Sequence, residues 1–389
     1  MAISFGSWPG RRNPQIVSSY RATWVEIDRD AIRHNVRVLC DLVAPAAVMA
    51  VVKADGYGHG AVSVAHAALE AGAQALGVAL VEEGVALRDA GIDAPVLVLS
   101  EPTPDAASEV VARRLTPVVY TKSGIDALAK AVADHGGEPL GVHLKIDTGM
   151  HRVGAPPDDA VALARRVGDH RELILEGICT HLAVADEPAR GETQQQLDRF
   201  ASTRAAVGAI GVVPAVVHAA NSAAAIGFPG ARFHMVRVGI ALYGVTPAPG
   251  IGDELGLKPV LSLRSCVSHV KRLRAGDRVS YGLRYELARD ATIVTVPIGY
   301  ADGVPRNLGA TAARALVRGT RVPLAGTVTM DQLMLDVGEL SVEVGDVVTL
   351  IGVDGKEQIT AEDWAGWMGT IGYEIVCGIG PRVPRDYRG

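Results

Sequence analysis

Lys53 stands at the end of an apolar run and is followed at once by small residues, in AVVKADGYGHG. Burying an ammonium strips it of water, so a lysine there needs a reason. In a dry site the neutral amine is favoured. A neutral amine attacks carbonyl compounds, and Schiff-base formation with an aldehyde cofactor is one such reaction. The surroundings suit a phosphate. GYGHG makes a tight, glycine-rich turn before a helix, and Tyr57 adds a hydroxyl. Ser222 opens a second helix in NSAAA, and RVGIA offers backbone N–H groups around Gly239 and Ile240. Helix N-termini and open amides bind phosphate through their dipole and hydrogen bonds. The glycines form neither GxGxxG nor a P-loop, so a dinucleotide or ATP has little support.

Other polar residues end other apolar runs: Lys145 and Arg152, His181, His218 with Asn221 and Ser222, and Arg237 with Gly239. Any one of them could be a satisfied strand-end residue. Polar groups at the same end of five strands point instead to one shared mouth.

The elements that would hold them follow from the pattern of the chain. Eight short runs rich in Val, Ile and Leu alternate with longer amphipathic stretches between about residues 30 and 245: AVMAVVK, ALGVALV, PVLVLS, TPVVYT, VHLKID, EGICTHLA, AVVHAANS and VRVGIALYG. Near-continuous apolar runs are how strands buried on both faces of a parallel sheet read. Between them, GAVSVAHAALEAG and EEGVALRDAGI have helical length and stop at glycine. Eight such units predict an α/β chain with a closed (β/α)8 TIM-type barrel. After about residue 258, ATIVTVPIGY and GDVVTLIG are strand-like with glycine turns, which predicts a mainly β C-terminal domain. The expected division is a barrel over 27–256 and a β domain over 257–389, with residues 15–26 added to the latter.

With 389 residues the chain is long enough for two cores. Its net charge of -5 and the lack of a basic run argue against nucleic acid or an anionic membrane as partners. Cys40, Cys179, Cys266 and Cys377 are far apart and form no CxxC, so a metal site is not expected and free thiols in a reducing compartment are. The N-terminal MAISFGSWPGRRNPQIVSSY has no continuous apolar core, so neither a secretory signal nor a membrane span is expected there. The expected location is the cytoplasm.

AVVKADGYGHG resembles the pyridoxal-phosphate lysine motif of alanine racemases. The likeness continues through HLKIDTGMHRVG, EGICTHLAVAD, HAANSAA, MVRVGIALYG, VSYG, PIGYADG, VTMDQ and IGYEIV, from about residue 23 to the C-terminus. The resemblance implies a fold-type-III enzyme that uses pyridoxal 5'-phosphate to interconvert L- and D-alanine, supplies D-alanine for peptidoglycan, and works as a head-to-tail homodimer with shared active sites. It implies that Lys53 carries the cofactor and is one base. Tyr281 would be the second, reaching the site from the other subunit. Tyr57, Ser222, Gly239, Ile240 and Tyr373 look like phosphate ligands, with Asn221 beside them. Arg237 looks like the partner of the pyridine nitrogen. His181 would lie against the ring, and His218 would support Arg237. Arg152 would reach the cofactor's phenolic oxygen and the substrate, while Met330 and Asp331 would also enter from the other subunit and meet the substrate carboxylate. Lys145 resembles a lysine often carbamylated in this family. Two positions depart from the common pattern: His151 stands where many relatives have glycine, and Thr329 where a cysteine is common.

The chemistry is coherent. A racemase removes a proton from one face of Cα and returns one to the other, and two opposed bases do this most simply. Arginine does not give up a proton, so a ring nitrogen facing Arg237 stays unprotonated and is a weaker electron sink. That favours racemisation over transamination. Taken alone, Tyr281 also reads as a packed tyrosine, Lys145 as a partner of Asp147, and Met330 as a gap-filler in a core. A small pocket suits alanine, with serine as a side substrate. The rival readings are a fold-type-III decarboxylase, a non-catalytic cofactor carrier that would end near residue 245, and a barrel aldolase.

Overall fold

The computed structural model describes residues 20–389. The stretch 1–19, and with it residues 15–19 of the expected N-terminal addition, lies outside the described residues. The chain divides into two compact units. One is Asp30–Lys258; the other joins the described residues up to Arg29 to Pro259–Gly389.

The chain opens with β1, Thr23–Asp28. The eight strands of the Asp30–Lys258 unit follow: β2 Ala47–Val51, β3 Ala75–Val78, β4 Val96–Val98, β5 Thr116–Val119, β6 Leu140–Lys145, β7 Leu173–Cys179, β8 Val216–His218 and β9 Met235–Val238. Each pairs in parallel with its neighbour, in the order β8-β7-β6-β5-β4-β3-β2-β9. The ring is drawn together between β8 and β9 by the N–H groups of His234 and Arg237, which donate to the carbonyls of Val217 (3.1 Å) and Ala220 (2.9 Å). This is a nearly closed TIM-type barrel, as the eight apolar runs predict. β3 and β4 are buried along their whole length, because helices cover one face and the barrel interior the other. Met49, Ala75, Leu97, Val118 and Cys179 pack together in the core.

The helices follow from stripes of apolar residues. Arg29–Val43 buries Ile32, Val36, Leu39 and Val43, three or four positions apart. Lys122–His135 buries Ile125, Leu128, Ala129 and Val132, and Thr121 caps it by accepting from the Gly124 N–H. The strands deliver the candidate residues to one end of the barrel. Lys53 lies two residues past β2, Lys145 ends β6, His181 lies two past β7, His218 ends β8, and Arg237 sits near the end of β9.

The second unit is mainly β. Its strands are β10 Leu261–Cys266, β11 His269–Leu273, β12 Arg278–Val279, β13 Tyr285–Glu286, β14 Ala291–Val296, β15 Arg314–Val317, β16 Thr320–Pro323, β17 Leu333–Gly338, β18 Val347–Asp354, β19 Glu357–Ile359 and β20 Arg385–Arg388. β1 lies between β10, antiparallel to it, and β20, parallel to it. Its alternate residues Thr23, Val25 and Ile27 are buried, the period of a strand with one face on a core. A second core gathers Val279, Leu287, Ala291, Ile293 and Ala325. Among the described residues no helix is long and apolar enough to cross a membrane.

Candidate active site

The residues after Lys53 do not form an ordinary tight turn. Ala54, Asp55, Gly56 and Tyr57 have φ of 52°, 51°, 61° and 54°, so the chain makes a left-handed helical turn. Three of the four carry a Cβ, and each such residue costs about 1–2 kcal/mol relative to the right-handed form. Strain of this kind persists only where the surroundings over-determine it. Here they do. The Gly56 N–H donates to Val52 O (2.8 Å), Gly58 N–H to Ala54 O (2.9 Å) and Gly60 N–H to Asp55 O (2.8 Å). The Asp55 carboxylate accepts from the Ala61 N–H (2.8 Å). Below the turn Tyr243 packs on Tyr57 and on the buried His59, with ring centroids 5.0 and 4.5 Å apart, and its hydroxyl donates to Val51 O (3.0 Å). An added Cβ on Gly239 would lie 2.4 Å from the Tyr57 hydroxyl oxygen, so only glycine lets that hydroxyl in.

Arg237 is buried at the barrel mouth. Its Nη1 donates to His218 Nδ1 (2.8 Å), and its Nη2 to the carbonyls of Thr180 (2.8 Å) and Ala219 (2.9 Å) and to His181 Nδ1 (3.1 Å). All these bonds use the two terminal nitrogens, leaving the Nε–H edge. Arginine only donates, so Nδ1 of both histidines must be unprotonated and their protons sit on Nε2. His218 Nε2 then donates to His143 Nδ1, 2.8 Å away. Burial, and then the Arg237 charge, holds His181 and His218 well below the ordinary histidine range and pulls His143 down to about 4. The chain His143–His218–Arg237–His181 thus carries one positive charge, on the guanidinium.

Ser222 Oγ accepts from the Gly239 N–H (2.9 Å), which leaves its own proton to donate. Asn221 serves as the N-cap of helix Ser222–Gly227, accepting from the Ala224 N–H (3.0 Å). Ile240 begins a 3-10 turn, Ile240–Tyr243. The first N–H groups of both turns have no acceptor within them. Tyr57, Ser222, Gly239 and Ile240 therefore meet at one place.

Lys145 is buried and donates to Leu99 O (3.1 Å). Burial lowers its pKa most. The Cys179 thiol opposes the shift, and the charges of Arg237, Arg152 and Lys53 add to it. Among the described residues no carboxylate lies within ion-pair distance of Lys145 or Arg237. Asp147 is instead taken up by its own loop: one oxygen accepts from the N–H groups of Gly149, Met150 and His151, each at 3.0 Å, and the other lies 3.3 Å from His151 Nδ1. His151 is left-handed, with φ 56°, a conformation that a glycine adopts without strain. Arg152 follows it and is exposed.

The remaining candidates belong to the β unit. Tyr281 is 71% exposed and sits between Ser280 (φ 67°) and Gly282 (φ 79°), with Leu283 (φ 48°) beyond. Ser280 Oγ donates to Thr327 O (2.6 Å), and Thr327 Oγ1 donates to Tyr281 O (3.0 Å), so this turn too is pinned. The carbonyls of Thr329 and Met330 accept from the N–H groups of Tyr300 and Ala301, both at 3.0 Å. Asp331 pairs with Arg382 (2.8 Å). Tyr373 is half-buried on helix Gly372–Cys377. Among the described residues no cluster of His, Cys, Asp and Glu could hold a metal ion.

His143 was not singled out from the sequence. The signal was present: in VHLKID it stands two residues before Lys145 on one strand, and so on the same face.

The chain matches the family description "Alanine racemase, N-terminal domain" over residues 27–247 and "Alanine racemase, C-terminal domain" over 260–387. It is 48% identical over 374 residues to the alanine racemase of Symbiobacterium thermophilum, covering 95% of this chain and 98% of that relative. The crystal structure of alanine racemase from D-cycloserine-producing Streptomyces lavendulae superposes with a TM-score of 0.90 at 39% identity, covering 96% of this chain and 98% of that one. A histidine racemase from Leuconostoc mesenteroides subsp. sake superposes with a TM-score of 0.88 at 33% identity, covering 96% of this chain and 99% of the other. With both family domains matched in order and the likeness running nearly the full length, the chain belongs to the alanine racemase family and is an enzyme of that family.

Proposed function

We propose that the protein interconverts L-alanine and D-alanine with pyridoxal 5'-phosphate, by two bases: Lys53 and Tyr281 of the partner subunit. The observation that carries this reading is the setting of Arg237. A buried guanidinium with no carboxylate partner among the described residues, held by two neutral imidazoles and two carbonyls, offers its Nε–H to an acceptor that does not need a proton. A pyridine nitrogen is such an acceptor. The cradle of Tyr57, Ser222, Gly239 and Ile240, where glycine alone fits against the Tyr57 hydroxyl, suits the phosphate. Tyr373 would add a hydroxyl to it. The residues present therefore fit the cofactor.

When bound, the cofactor supplies an aldehyde for the substrate amine and a ring that makes the Cα proton acidic. The rest falls to the chain. Lys53 Nζ would hold the cofactor, and its amine would take or give the Cα proton on one face. The Tyr281 hydroxyl does the same on the other. A phenol is ordinarily a poor base at neutral pH. The cation at Arg237, relayed through neutral His181, helps to hold the phenolate. Arg237 does not give up its proton, so it would leave a ring nitrogen unprotonated, which favours racemisation over transamination. Arg152 would orient the substrate, and Met330 and Asp331, entering like Tyr281 from the partner subunit, would meet its carboxylate.

Lys145 completes the reading as a carbamate. Lowering its pKa favours the neutral amine that adds carbon dioxide, and the anion formed would face the charges of Arg152, Lys53 and Arg237 that now oppose Lys145. Lys145→Ala should lose most of its activity and regain part of it with chloride or a small carboxylate. Full activity without an anion response excludes the carbamate. The cellular role that follows is D-alanine supply for peptidoglycan in the cytoplasm. Serine as a side substrate is also part of the reading, since a histidine racemase shares this fold and side-chain size is therefore set locally.

The deciding experiment is borohydride reduction of the purified enzyme, digestion and peptide mapping, alongside an assay of D-alanine formed from L-alanine. The reduced cofactor should sit on the Lys53 peptide. Label on another lysine, or no alanine turnover, sinks the proposal.

A further inference from the structure

We propose that Glu83 is a positioning residue for Lys53, holding the left-handed turn in place by a carboxylate bridge. One oxygen, Oε1, accepts from the Ala54 N–H at 2.6 Å, on the peptide that joins Ala54 to Lys53. The other, Oε2, accepts from the N–H groups of Ala79 (2.8 Å) and Leu80 (3.1 Å), at the start of helix Val81–Asp89. Capping that helix accounts for Oε2 alone. The bond from Oε1 crosses to a different loop, after a different strand, and ends beside the candidate base.

The need for it lies in the backbone. Ala54 and Asp55 sit at φ 52° and 51°, and both would relax to ordinary regions if released. In a helical turn of either hand the first N–H groups lack an internal acceptor, and Ala54 is in that place. Glu83 supplies the acceptor with a full negative charge, which makes the stronger kind of hydrogen bond. On the far side Asp55 accepts from the Ala61 N–H, so the turn is tied down at both ends. Within it, Lys53 and Tyr57 are coupled. If Ala54 leaves the left-handed region, Lys53 is redirected, and the Tyr57 hydroxyl is drawn from its slot against Gly239. Glu83 thus acts on the nitrogen that would bond the cofactor and on the hydroxyl that would hold its phosphate. This inference rests on the reading of Lys53 as the cofactor lysine for its catalytic consequence, although not for its structural one.

The test uses Glu83→Gln and Glu83→Ala in the full-length enzyme as purified. Glutamine still caps a helix, but it has one acceptor oxygen and cannot serve both loops. Backbone hydrogen exchange of Gly56, Gly58 and Gly60, the amides bonded within the turn, is compared with that of the barrel strands. We expect a roughly tenfold or greater loss of protection in the turn, the scale of one charge-assisted bond, with the strands unchanged. For alanine, kcat should fall about ten- to a hundredfold with KM within about twofold, as misplacement of a reacting group predicts. Turn protection unchanged in both variants overturns the proposal, as does an equal loss across the whole barrel. If the turn loosens while borohydride labels a lysine other than Lys53, Glu83 keeps its hold on the turn and the function proposed above fails instead.

Discussion

Arg237 keeps its charge among neutral imidazoles. Three imidazoles surround it directly or through one another, and each is neutral for the same two reasons, loss of water and the nearby guanidinium. The arrangement fixes each tautomer and aims the arginine. Two outcomes follow at this scale. Arg237→Glu would put a proton donor beside the ring nitrogen; racemisation should slow and long-wavelength absorbance should build up with alanine. An unchanged rate and spectrum would make Arg237 structural. The second outcome is acid sensitivity. His143 titrates near 6.5 when unfolded and at about 4 when folded. Above 6.5 it is neutral in both states and pH has no effect through it. Between about 6.5 and 4 the unfolded chain binds a proton that the folded chain refuses, so stability falls as pH falls. The loss through His143 is about 3 kcal/mol over that window. Urea unfolding of His143→Asn should show a slope against pH that is shallower by about one proton; an identical slope would mean His143 is already charged in the fold.

At the scale of elements, the two candidate bases are presented in the same way. Lys53 precedes a left-handed turn of Ala54, Asp55, Gly56 and Tyr57; Tyr281 sits between left-handed Ser280 and Gly282. Each turn is held by side-chain-to-backbone bonds to another loop, so each base has a fixed origin. A second device lies between β6 and β7. Their pairing slips by one residue, from Val142 opposite Leu175 to His143 opposite Gly177, and Glu176 is the extra residue. The slip sets the His143 ring over a glycine. An added Cβ at Gly177 would lie 2.5 Å from His143 Nδ1, the atom that accepts from His218. Gly177→Ala should therefore lower stability by about 1–3 kcal/mol, as overpacking does, and reduce kcat by breaking the support of Arg237. Thermal unfolding and nitrogen NMR of the imidazoles check this; a wild-type melting point with an intact His143–His218 bond would refute it.

At the scale of the molecule, the candidate cofactor residues Lys53, Tyr57, Ser222, Arg237 and Gly239 lie on the barrel and the candidate second base, Tyr281, on the β unit. Tyr281, Leu283, Met330 and Ile371 of that unit are each more than half exposed. The proposed shared site in a two-fold dimer makes a quantitative forecast. Lys53→Ala and Tyr281→Phe should each be nearly inactive alone. When the two are mixed and reassociated, a mixed dimer has one site with both defects and one with neither. Random exchange makes about half the dimers mixed, so roughly a quarter of wild-type activity should return. Confirmed exchange with no recovery would place both bases on one chain.

The sequence by itself determined the architecture and the family. Eight apolar runs separated by helical stretches can bury themselves in few ways, and a barrel is the one that puts every polar run-end at a single mouth. Lys53, Tyr57, Ser222, Arg237 and Gly239 could be picked out as candidates because each stands at or just after the end of an apolar run. What only the tertiary structure decided depends on neighbours distant in sequence. GYGHG reads as a turn, but its left-handed course rests on Glu83, 29 positions on from Ala54, and on Tyr243 beneath it. Lys145 next to Asp147 reads as an ion pair, yet the strand sends Lys145 to Leu99 and the loop claims Asp147 for its own amides. His143 reads as one more strand residue until the slip against Gly177 brings it to His218, and the charge on Arg237 then fixes every proton along the chain. Local propensity can be read along a sequence; hydrogen bonds, burial and charge act through space, and they settled these points.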